Sequence, residues 1–212
     1  MLHQANILLH VFAGLIGIIF GILAYTSVKG SDNHRKYGRN FLWLMAIVVG
    51  TALLGTVFFI DRPFLTIVAF QSGYFAFSGW RAVKLKEERF RLWDLLVAVS
   101  VAVLLGLFLW RLQTATIYWN RGIVYYLLFY LCLVLGFDLL RYFIPNLITN
   151  RRFWVYDHIF KLTSAFTALV SAGLGTVLGA YAPWSQIIPA VIATFWLIFC
   201  LIYFPRVVGV NS

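Results

Sequence analysis

Residues 5–28, ANILLHVFAGLIGIIFGILAYTSV, contain no Lys, Arg, Asp or Glu, and the run stops at Lys29. Crossing a bilayer core as a helix takes about 20 mostly apolar residues. A soluble helix of this length would carry a polar stripe along one face, and this run carries almost none. Its flanks also differ from those of a secretory signal, which has basic residues before the apolar stretch and a small-residue cleavage site after it. Here Met1–Gln4 holds no Lys or Arg, and the positive charge follows the run. The reading is therefore a retained membrane span.

Working outward, six further runs of the same kind appear at 41–60, 64–83, 94–110, 123–143, 154–181 and 184–204. Together they predict an all-α, polytopic membrane helix bundle of seven transmembrane helices, forming one integral membrane domain over residues 1–212. The fourth span is the shortest. Asp61-Arg62-Pro63 and Ala182-Pro183 read as tight turns, since proline starts helices well and breaks their interiors. The composition agrees: 62% of the 212 residues are apolar and 11% are charged. A soluble domain has about 45–50% and about 25%, so a soluble globular protein is excluded. Cys132 and Cys200 both lie in apolar runs, where a cysteine acts as a small apolar residue.

The net charge of +10 reads as basic loops beside a membrane rather than as a nucleic-acid surface. If the seven spans alternate in direction, fourteen of the 17 basic residues fall at one end of the bundle. Only Arg62, Arg111 and Arg121 fall at the other. Basic residues are retained in the cytoplasm, which predicts an outside N-terminus and a cytoplasmic C-terminus.

Small residues four apart let helix backbones approach closely in lipid. Ala13, Gly17 and Gly21 form one such row. Ser164, Ala168 and Ala172 form a second, and Ser171, Gly175 and Gly179 a third. These rows predict that the sixth span lies in the middle of the bundle, with the bulky faces of spans two and four toward lipid. A homodimer interface is the rival reading of the Gly17–Gly21 pair.

An ionisable group inside a span is costly and marks either function or a partner. At about 1.5 Å of rise per residue, the polar residues sort into two levels. His34, Asp138, Asp157, His158 and Lys161 form the inner level, and His10 and Gln71 the outer. Asp157 and Lys161, four apart, and Asp138 and Arg141, three apart, can pair within their own helices. His158 can hydrogen-bond Asp138, or serve as a ligand or proton carrier. There is no Cys-x-x-Cys, His-x-x-x-His or Glu-x-x-His spacing for a compact metal site. Neither a phosphate-binding glycine loop nor a Gly-x-Ser-x-Gly elbow occurs.

The run His10-x-x-x-Gly14 to Gly21, then Lys29-Gly30 and His34-Arg35-x-x-Gly38-Arg39, resembles a family of bacterial polytopic inner-membrane proteins of undetermined activity. Ser78-Gly79-Trp80-Arg81-Ala82-x-x-Leu85 and Asp157-His158 extend the resemblance. It implies a multi-pass protein of the bacterial inner membrane. The chain is also similar to di-haem transmembrane cytochromes, which move electrons from ascorbate-like donors and hold each haem between histidines of two helices at one depth. On that pattern His34 and His158 would hold a haem b, while His10 has no second histidine at its level. Three functions follow. The leading expectation is a membrane-embedded structural or accessory subunit. The alternatives are a haem-binding redox protein using His34 and His158, and a proton-linked small-solute carrier using Asp138, Asp157, His158 and Lys161. The partners expected are the lipid bilayer, with a second copy or another membrane protein possible, and no nucleic acid.

Overall fold

The computed structural model describes residues 1–58, 63–86, 88, 90–114, 121–144, 152–181 and 184–208. Among them there are seven α-helices and no strand: α1 Leu2–Thr26, α2 Asp32–Phe58, α3 Pro63–Leu85, α4 Leu92–Thr114, α5 Arg121–Phe143, α6 Phe153–Val177 and α7 Trp184–Val208. A single 3₁₀ turn, Gly179–Tyr181, follows α6. All except α3 are long and apolar enough to cross a membrane.

Several helix ends fall outside the apolar runs. α2 starts at Asp32, well before residue 41, because the Ser31 hydroxyl accepts the His34 N–H at 3.2 Å and closes the first turn. α4 gains residues at both ends of 94–110, with the Asp94 carboxylate accepting the Arg91 N–H at 2.8 Å. A polar first turn falls outside an apolar run, so hydropathy does not register it. The expected turns at Asp61-Arg62-Pro63 and Ala182-Pro183 lie largely outside the described residues.

The centre of the bundle is α3, not α6 as the small-residue rows predicted. α3 packs against α2, α4, α5 and α6, and 14 of its 23 residues are buried. Gln71, Ser72, Tyr74 and Ser78 lower its hydropathy, and protein rather than lipid surrounds them. This is why the most central helix looks least like a span. α6 is its main partner and also touches α1 and α7. The two meet closely at Gly79, where a Cβ would lie 2.0 Å from Leu162 Cδ2 and 2.9 Å from Lys161 Cβ.

The Gly17–Gly21 pair is used within the chain. A Cβ at Gly17 would meet Leu169 and Leu44, and one at Gly21 would meet the Phe166 ring. These glycines seat α1 against α6 and α2. The core continues through Phe75, Tyr130 and Phe160, whose rings meet edge-on or tilted with centroids 5.4–6.4 Å apart across α3, α5 and α6. Trp43 on α2 and Leu104 and Leu107 on α4 point outward, as expected of bulky faces. An apolar exterior of this kind suits hydrocarbon and not water.

Candidate functional site

The end of the bundle where α2, α4 and α6 begin, here called the basic end, contains a buried layer of charge. Lys161 of α6 is 1% exposed and lies between two aspartates. Its Nζ donates to Asp138 Oδ1 at 2.7 Å and Oδ2 at 2.9 Å, and to Asp157 at 2.8–3.0 Å. Arg141 of α5 donates to Asp157 Oδ2 at 2.9 Å while its guanidinium lies over the Phe90 and Phe153 rings. Tyr74 and Ser78 of α3 donate to Asp138 Oδ2 at 2.8 and 2.7 Å. Two cations and two anions cancel, and the chain of bonds ties together three helices. A buried charge persists only when it is paired in this way.

Asp157 and Lys161 pair as their four-residue spacing predicts. The expected Asp138–Arg141 pair does not form, because Arg141 lies about one turn nearer the end of α5 and reaches Asp157 across the α5–α6 contact. Asp138 turns inward to α3 and Lys161. The hydroxyls of Tyr74 and Ser78 complete the site and were missed by the sequence reading. They are four apart on one helix, and that spacing was the available signal.

The histidines behave differently. His158 does not bond Asp138. Its Nδ1 lies 2.9 Å from the Gly79 carbonyl. His34 Nδ1 lies 2.9 Å from the Ala24 carbonyl at the end of α1. A carbonyl only accepts, so the tautomer is assigned with the proton on Nδ1 in each ring, leaving the Nε2 lone pair. Ser78 bonds Asp138 and its neighbour Gly79 bonds His158, so the ion pairs and this histidine share one depth, as expected. The α2 and α6 backbones stay more than 8 Å apart over their described residues. Lys29, in the connection between α1 and α2, donates to the Ala24 and Tyr25 carbonyls, and burial lowers its ammonium from the ordinary lysine range. Nearby, the Tyr25 hydroxyl donates to Thr163 Oγ1 at 2.7 Å.

At the opposite end His10 is a staple between α1 and α2. Its Nδ1 lies 3.1 Å from the Val48 carbonyl and 2.9 Å from Thr51 Oγ1. Asn6 adds a bond to the Thr51 carbonyl at 3.0 Å. Gln71 is buried in α3, whereas the hydrogen bonds of His10 go to α2. Among the described residues, no group of three or more His, Cys, Asp or Glu is arranged to hold a metal ion. Comparison with family models, curated proteins and solved structures returns no match to the chain.

Proposed function

We propose that this is a seven-span protein of the bacterial inner membrane, with its basic end and C-terminus in the cytoplasm, that holds a haem between His34 and His158. The observation carrying this reading is that both rings spend their Nδ1 proton on a main-chain carbonyl. A histidine bound to a metal almost always donates its other ring nitrogen in this manner, which fixes the ring and raises its basicity. The donor set it would use is two imidazole lone pairs, one from α2 and one from α6. Bound there, haem would supply one-electron transfer, while the carbonyls of Ala24 and Gly79 orient the two rings.

The test is a visible spectrum of the purified protein from haem-replete cells, oxidised and then reduced. A sharp reduced-state band should be present, lost in His34→Ala and in His158→Ala, and kept in His10→Ala. Folded protein without a band would overturn the reading. A second reading, an accessory subunit without cofactor, is favoured by the saturation of the ion-pair layer. Lys161 has two carboxylates and Arg141 has one, so these charges need no ligand to be satisfied.

A further inference from the structure

Beside the ion-pair layer, on the side away from α6, a cavity of about 10 Å³ lies between α3, α4 and α5. A cavity of about this size holds one water. Its lining includes Asp138, Tyr74, Tyr142, Asp94 and Ala98. The carboxylate at the far wall, Asp94, sits in the first turn of α4. It is held by the Arg81 guanidinium, with Nη2 at 2.9 Å, and by the Arg91 N–H. The Arg91 side chain itself is 65% exposed. The cavity thus lies between the buried aspartate and the first turn of α4 at the basic end.

We propose that Asp138 is a proton-exchange site, served from the basic end by a water in this cavity. A carboxylate has about four lone-pair positions. Oδ2 already accepts from Tyr74, Ser78 and Lys161, whereas Oδ1 accepts from Lys161 alone. Oδ1 therefore has room for the proton. A hydronium in the cavity gives its proton to Oδ1, leaving a neutral acid and a water. The cluster then carries one excess positive charge, on a Lys161 still held by Asp157. The groups facing Asp138 are Tyr74 and Ser78 from α3, Asp94 with its partner Arg81 across the cavity, Tyr142 from α5 and Lys161 from α6. Beyond them stand Asp157 and Arg141. The proposal does not depend on haem, since Asp138 contacts neither His34 nor His158.

Rapid-mixing infrared spectroscopy of the full-length protein after an acid jump reads the stretch of a buried protonated carboxyl. The band is expected in the parent and absent from Asp138→Asn. It is also expected to be absent from Asp138→Asn/Lys161→Met, which keeps the cluster neutral if the single variant fails to fold. Ala98→Val narrows the cavity without touching an ion pair and should slow the band's appearance about tenfold, equivalent to about 1.4 kcal/mol of barrier. Ala102→Val, on the exposed side of α4, should keep the parent rate. If Ala98→Val does not fold, Ala98→Cys, which adds a single atom to the same wall, takes its place under the same criterion. No band in the parent, a band that survives loss of Asp138, or an unchanged rate in the cavity variant overturns the proposal. The visible spectrum remains a separate readout, so failure of one assignment is distinguishable from failure of the other.

Discussion

Lys161→Met removes the one cation that holds Asp138. Methionine is close in length and apolar, so the substitution deletes charge while keeping most of the volume. Two ion pairs vanish, those to Asp138 and Asp157. Asp157 keeps Arg141 at 2.9 Å. Asp138 keeps only the hydroxyls of Tyr74 and Ser78, and its negative charge is stranded at 4% exposure. Breaking a buried pair from one side costs about 3–5 kcal/mol. In a chain of this size that lowers the melting temperature by about 6–20 °C. Asp138→Asn/Lys161→Met removes both charges and leaves the Arg141–Asp157 pair intact. It should therefore be more stable than Lys161→Met alone, with a coupling at the upper end of the roughly 0.5–3 kcal/mol seen for touching residues. The assay is thermal unfolding of the purified variants in one detergent, followed by circular dichroism. The reasoning fails if Lys161→Met melts within about 2 °C of the parent, which is under about 1 kcal/mol on that scale. It also fails if the double variant is less stable than the single one.

Other substitutions test the packing and the topology. Gly79→Ala should cost about 1–3 kcal/mol, the usual penalty of forced overpacking, because its Cβ meets Leu162 and Lys161 near the α6 backbone. Gly175→Ala should cost less in the same unfolding assay, since Gln186 can swing away, and Gly136→Ala should be neutral or stabilising. Equal effects at the three glycines would contradict the close α3–α6 approach. A reporter fused after Ser212 should be active in the cytoplasm, and activity only on the far side would refute the orientation. His10→Ala should loosen α1 from α2 and lower the melting temperature by the loss of its part-buried hydrogen bonds to α2, about 0.5–1.5 kcal/mol; an unchanged melting curve would deny it the role of staple.

Hydropathy is a property of the chain in one dimension, and what it can decide was decided there. Residues 5–28 and the runs after them dictate helices, because a backbone in hydrocarbon must satisfy its hydrogen bonds within itself. The cost of burying charge also singled out His10, Asp138, Asp157, His158 and Lys161 before any packing was considered. Spacing along one helix found the Asp157–Lys161 pair. The rest depended on how each helix is rotated about its axis and which neighbour it meets, and no local pattern encodes that. Rotation sends Asp138 to Tyr74, Ser78 and Lys161 while sending Arg141, on the same helix, to Asp157. It sends His158 to the Gly79 carbonyl, separating the histidines from the ion pairs they were grouped with. It also makes α3 central: polar residues that count against a span in lipid are stable once four other helices surround them, and only packing supplies those helices.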